Sequence, residues 1–370
     1  MCSARPSIAS SHAGPGPPES AVTGGAAGRD DEPGCVGAGS PKWHRAVVAA
    51  ARAAGEDVDA SLELAETYGI CLPVPGGGAT LWRWQLFADV AAQDLTVARI
   101  LEAHADALAI LAEAGVAPPT GRWGVFAAEA PGVELTGRRL GAGWVVEGTK
   151  PWCSLGGRLD HALVTARVGA GRQLFAVDLV HQSVRPEPAS GWVARGLRAI
   201  PSGSVHFARA PARPVGGPGW YLDRPGFAWG GIGVAACWYG GARALAERLR
   251  CSAAQRPGDL VALSVGTIDV RLHAAWTCLS DAARQVDAQL AGGQHGELLA
   301  LRVRSVVADA VETVLRQVGH TLGPAPLAFD ETHARRVADL EIYVRQHHAE
   351  RDLAALGHRL IDGLIDPAPR

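Results

Sequence analysis

The sequence predicts an α+β protein in three parts: an N-terminal helical domain, a middle antiparallel β domain and a C-terminal helical bundle. Three observations predict it. Apolar residues recur every three or four positions to about residue 117, switch to short alternating runs over about 123–214, and return to helical spacing from about 226. No helix-length pattern separates the alternating runs, which favours antiparallel strands over βαβ units. Apolar residues make up 48% of the chain and charged residues only 19%, a composition that buries a packed core rather than staying disordered. The expected divisions are residues 41–122, 123–215 and 216–370, after a tail over residues 1–40.

The tail is rich in Gly, Ser, Ala and Pro with no continuous apolar run, so it reads as disordered and not as a signal peptide. In the first domain, Leu95 to Glu113 carries the clearest helical pattern, stopped by Gly115 and the Pro118-Pro119 pair. His104 on that helix reads as a satisfied histidine of the core or surface. Strands are expected at Trp144–Glu147, Ala162–Arg167, Leu174–Leu179 and Ser204–Phe207.

Pro225 to Ala242 holds no charged residue, nearly a membrane-spanning length. Six of its positions are glycine, and Arg224 and Arg243 bound it closely, so it reads as a buried, close-packed helix. Within it, Gly231-Ile-Gly233 mimics a dinucleotide fingerprint but follows no strand, and helix packing explains it better. Val303, Val307, Val311, Val314 and Val318 form one apolar stripe at helical spacing. A further helix is expected from Leu340 to Leu360.

A formal net charge of -2 gives no reason to expect nucleic acid or an anionic membrane as partner. The seven cysteines are scattered without a CxxC pair, which argues against a disulfide framework and a structural zinc site and favours a reducing, cytoplasmic setting.

The stretch Glu147-Gly-Thr-Lys150-Pro-Trp152-Cys-Ser154, followed by Asp160 and an apolar strand to Arg167, resembles the β domain of the acyl-CoA dehydrogenase superfamily. Members show there a Gly-x-Lys-x-Trp-Ile-Thr turn, a short gap, an acidic residue and a strand. Gly196-Leu-Arg198 with Ser202, then Val205-His-Phe207, Pro211 and Val215-Gly216, resemble the motifs that follow. Asp339-Leu-Glu-Ile-Tyr343 resembles the lead into the family's catalytic loop.

The resemblance implies FAD as cofactor. Trp152 would pack by the flavin ring and Ser154 would hydrogen-bond it; without the surrounding pattern, a core tryptophan beside a strand-end serine is the favoured reading. Phe126, Ala128 and Glu129 occupy the place of a strand end that contacts the flavin. Arg256 stands where relatives bind the flavin pyrophosphate of a neighbouring subunit, and Gln317 with Gly319 where they touch its adenosine part. A homo-oligomer is expected on the same ground.

The base is the main departure, making this a divergent member without the usual glutamate. Dehydrogenation needs a carboxylate within hydrogen-bond reach of the substrate proton. The two positions that carry it in relatives align with His347 and Gly230. Three readings of His347-His348-Ala349-Glu350 stand open: His347 as base, Glu350 as base from one turn away, or a structural segment. A metal site there lacks a second ligand pair. The function implied is flavin-dependent α,β-dehydrogenation of an acyl thioester, such as a CoA thioester, or a related small molecule, with an unspecified redox partner. The alternatives are an inactive subunit of a heteromeric complex and a flavin-dependent monooxygenase.

Overall fold

The computed structural model describes residues 34–188 and 191–365, with side chains to residue 363. Four helices come first: α1 (Pro41–Ala54), α2 (Val58–Gly69), α3 (Thr80–Gln93) and α4 (Leu95–Glu113). Side chains cap three of their starts. Ser40 accepts from the Trp43 N–H, Asp57 from those of Asp59 and Ala60, and Asp94 from that of Thr96. Residues 34–40, expected within a disordered tail, belong to the described structure. Gly34 accepts a hydrogen bond from Trp43 Nε1 at 2.6 Å, and Cys35 is buried and disulfide-bonded to Cys71. That pairing corrects the expectation of unpaired cysteines and removes its support for a reducing compartment. Spacing along the chain did not reveal it because the two cysteines are 36 residues apart. Residues 1–33 lie outside the described residues.

Seven strands follow: β1 (Trp123–Phe126), β2 (Leu135–Leu140), β3 (Gly143–Lys150), β4 (His161–Val168), β5 (Gly171–Asp178), β6 (Val184–Pro186) and β7 (Val205–Val215). Antiparallel pairs β2–β3, β3–β7, β7–β5 and β5–β4 form most of a ring, which one β2–β4 pairing closes. Not every pairing is antiparallel. β1 runs parallel to β4, with Trp123 opposite His161, because the β2–β3 hairpin lies between them in the chain and returns it in the same direction. Gly148 sits at the register shift between β3 and β7 at φ 121°, where a Cβ would lie 2.3 Å from the Glu134 carbonyl oxygen.

The last part holds α5 (Trp220–Asp223), α6 (Pro225–Gln255), α7 (Asp259–Asp287), α8 (Gly293–Leu322), α9 (Ala325–Phe329), α10 (Glu331–Tyr343) and α11 (Glu350–Ile365). The valine stripe of α8 is buried as expected. The continuous helix expected from Leu340 to Leu360 is instead broken. A 3-10 turn over Val344–Gln346 follows α10, and Ala349 takes a φ of 49° before α11 begins.

No helix among the described residues is long and apolar enough to cross a membrane. The uncharged run of α6 is packed in the core with Trp229, Ile232, Trp238 and Leu245. Its glycines set the packing distance: a Cβ at Gly240 would stand 2.1 Å from the backbone oxygen of Ala88 on α3. The β domain is fastened to the helices by Ile110 and Leu111 of α4 against Trp123, Leu163 and Leu174. A second seam joins Gly196–Leu197 to α10, where the Leu197 N–H donates to Asp339 Oδ1 at 2.6 Å.

Gly240→Ala is expected to destabilise the fold by about 1–3 kcal/mol through overpacking against α3. Urea unfolding of the variant, with an unchanged slope and a lowered midpoint, checks it.

Candidate functional site

The turn after β3 is held on both sides of Trp152. Lys150, buried, donates from Nζ to Thr165 Oγ1 at 2.8 Å, and burial pulls its ammonium down to about 8. Beyond the tryptophan, the Cys153 N–H donates to the Gly203 carbonyl at 2.8 Å and the Leu155 N–H to that of Pro201 at 2.9 Å. Burial pushes the Cys153 thiol up to about 12, so it stays protonated. Between these anchors Trp152 takes a φ of 59°, a conformation that costs a bulky side chain about 1–3 kcal/mol.

The result is a tryptophan 57% exposed to solvent. This excludes the core reading of Trp152. Its ring walls a cavity of about 900 Å³ with Pro186, Arg198, Ser202 and Ile342. Trp192 stands edge-on to it with ring centroids 6.5 Å apart.

Ser154 does not line that cavity, although it reaches Ser202 in its wall. Its hydroxyl lies 2.8 Å from that of Ser202, and it lines a narrow cavity with Phe126, Arg99, Ile100 and Ala103. The structure thus brings Phe126 and Ser154 together, two residues past the wall formed by Trp152. Ala128 and Glu129 are exposed and line a third, polar cleft with Lys150 and Thr165, where Glu129 pairs with Arg172. Arg256, Gln317 and Gly319 line none of these spaces. Arg256 is exposed at the C-terminal end of α6, Gln317 accepts from Ser264 Oγ at 3.2 Å, and Gly319 faces open space on α8.

His347 is buried beneath the start of α11. Its Nδ1 accepts the Ala349 N–H at 3.2 Å, so the neutral ring carries its proton on Nε2, 3.1 Å from Ser305 Oγ. Burial lowers its pKa against the opposing pull of Asp352. His347 and Glu350 line a cavity of about 580 Å³ with Ser305, Asp309 and Glu312, apart from Trp152. Glu350 is exposed at the first position of α11.

Sequence reasoning passed over the charges on α4. Arg99 pairs with Glu102 at 2.9 Å, and Glu102 also accepts from the hydroxyl of buried Tyr343 at 3.4 Å. Burial raises the Glu102 carboxyl to about 7 despite Arg99. Asp106, one turn further, lines a cavity of about 530 Å³ with Tyr221, Arg224, Gly230, Arg304 and His348. Arg304 is fixed by the carbonyls of Gly231 and Gln346, at 2.6 and 2.7 Å, and lies over the Trp238 ring. The available signal was the close run of four ionisable residues, Arg99, Glu102, His104 and Asp106, in the middle of a helix whose other ionisable residue is its last, Glu113. His104 is a satisfied core histidine: its Nδ1 accepts the Trp123 N–H at 3.1 Å, and burial lowers its pKa to about 4.

No family profile and no curated protein matches the sequence. Solved structures do match along nearly their whole length. The FMN-bound dibenzothiophene monooxygenase TdsC of Paenibacillus sp. A11-2 superposes with a TM-score of 0.71 at 15% identity, over 86% of this chain and 96% of its own. KijD3, in complex with FMN and a dTDP-linked amino-keto sugar, gives 0.71 at 18% identity, over 90% and 97%. The Tcur3481-Tcur3483 steroid acyl-CoA dehydrogenase variant gives 0.69 at 20% identity, over 88% and 99%. The chain has the acyl-CoA dehydrogenase fold. At these identities the likeness establishes the fold, and chemistry must be argued from the residues.

In this acyl-CoA dehydrogenase fold, His104 ties α4 to β1 only while its Nδ1 is unprotonated. Its folded pKa lies below the unfolded value, so the unfolded chain takes the proton first. Stability should fall by up to about 3 kcal/mol as pH drops from about 6.5 to 4. Urea titrations across that range should show a shallower fall for His104→Gln. His347→Ala should cost about 1–2 kcal/mol by freeing the start of α11, read as a lower denaturation midpoint.

Proposed function

We propose that this chain is a flavin-dependent oxidoreductase whose flavin ring lies in the cavity walled by Trp152. The observation that carries the reading is the exposed Trp152, held at positive φ over a cavity of about 900 Å³. A large aromatic side chain that the protein leaves exposed on an anchored backbone suits a planar ring ligand. The cavity volume lies within the usual range for cofactor sites, about 300–1,000 Å³. The matched TdsC and KijD3 structures contain FMN, which supports the same class of ligand. A bound flavin supplies acceptance of an electron pair with hydrogen or, once reduced, activation of oxygen. This chain's own residues would cover the ring with Trp152 and hold that wall in place through Lys150, Cys153 and Leu155.

FAD was expected from the resemblance. Arg256, Gln317 and Gly319 line no part of the Trp152 cavity, so they would reach the adenosine end of FAD only from a second copy of the chain. FMN requires no such contact, and we place it ahead of FAD. Among reactions, Gly230 has no side chain, His347 has both ring nitrogens engaged, and Glu350 is exposed. This arrangement favours oxygen transfer to a small molecule over dehydrogenation of an acyl thioester, which needs a well-placed carboxylate.

Purified protein is expected to be yellow, and flavin released by denaturation to run as FMN. Trp152→Ala should weaken flavin binding at least about tenfold, in the range for a lost aromatic stack, with unfolding stability within about 0.5 kcal/mol of wild type. A colourless protein that takes up neither FMN nor FAD would overturn the reading and favour the idle-subunit alternative.

A further inference from the structure

The cavity of about 530 Å³ between α4, α5, α6, α8 and α11 holds a carboxylate that the protein leaves without a donor. Asp106 reaches it from α4. Four neighbouring carboxylates are occupied, Glu102 by Arg99 at 2.9 Å, Glu113 by Arg224 at 2.6 Å, Asp352 by the His348 N–H at 3.0 Å and Glu297 by Arg359 at 2.7 Å, whereas Asp223 is exposed to solvent. Among the described residues, none donates a hydrogen bond to Asp106 or pairs with it directly. Arg224, Arg83 and Arg99 act on it only through space, with Glu113 opposing them.

Two features make the vacancy look built rather than accidental. Gly230 of α6 presents bare backbone to the carboxylate: a Cβ there would lie 2.8 Å from Asp106 Oδ1, so any side chain would displace it. The Tyr221 ring, Phe227, Val234 and Leu301 give the same space an apolar wall, beside the charged groups Arg224, Arg304 and the Glu297–Arg359 pair. Asp106 is partly exposed to this cavity and takes no donor from the protein, so its carboxylate is free to accept one from a ligand.

We propose that Asp106 is the recognition group of this cavity, which binds a small, largely apolar molecule through a hydroxyl or amine group that donates to the Asp106 carboxylate. The inference extends the flavin reading by giving the substrate a polar group, while the cavity itself stands on geometry independent of the cofactor. It also sets the cavity against a plain acyl chain, which has no donor and would leave the carboxylate unmet. Burial raises the Asp106 pKa, and a donor from the ligand would oppose that rise by favouring the charged form.

The test uses the full-length protein and three probes of one shape: 4-methylphenol, 4-methylaniline and p-xylene. Binding is followed by saturation-transfer NMR titration. The two donor probes should bind at least about tenfold more tightly than p-xylene. Asp106→Leu should remove that preference and raise the melting temperature by about 2–4 °C, since an unmet charge is gone. Gly230→Ala should fold and lose most of the preference by displacing the carboxylate. Equal binding of the three probes, no binding of any, a preference that survives in Asp106→Leu, or a lowered melting temperature in that variant each overturns the proposal. Flavin absorbance is read on the same samples. Colourless protein that keeps the donor preference sinks the flavin reading alone; yellow protein without the preference sinks this one alone.

Discussion

The backbone-distance contact between α6 and α3 is the constraint on which the other spatial relations rest. Gly240 lies so close to Ala88 that no Cβ fits, and Gly241 packs against Leu95 and Leu340. This lets α6, 31 residues long, run through the core between α3, α4, α8 and α10. Because it passes so close to its neighbours, its N-terminal half, with Gly230 and Gly231, is delivered to the cavity beside α4. The same small residues that exclude a membrane reading therefore place the bare backbone facing Asp106.

A core packed this tightly has little room for water around charge, and the charges on α4 bear the consequence. Desolvation lifts Glu102 to about 7 and lowers Arg83 to about 10, despite attractive partners for each. Arg99 and Tyr343 meet Glu102 directly, so that group is a closed network. Asp106 is the member left open, and it is the one that lines a cavity. Glu102 is buried and satisfied within the protein, whereas Asp106 is partly exposed to its cavity and open to a donor from outside the fold.

Helix geometry links the two candidate chambers. Ala103 lines the narrow space beside Ser154, and Asp106, three residues on, lines the larger one beside Gly230. Residues three apart share a helix face, so α4 forms a common wall for both. The β domain contributes the other half: its turn after β3 exposes Trp152 and, two residues on, sets Ser154 in the narrow space.

The sequence by itself determined the three-part architecture, the buried character of α6 and the valine face of α8. Each depends on local periodicity or on a motif within a few residues, and such patterns survive in one dimension. The tertiary structure alone decided the rest, because it concerns groups far apart in the chain. Cys35 and Cys71 pair across 36 residues, β1 finds β4 in parallel register, and the helix expected through Leu360 breaks where His347 bonds Ala349 and Ser305. Asp106 and Gly230 belong to different helices, and nothing in their spacing announces that one carboxylate occupies the space beside the other. Trp152 was visible as a residue type. Its exposure came only from the strained backbone that tertiary hydrogen bonds hold in place, and a linear pattern carries no record of that force.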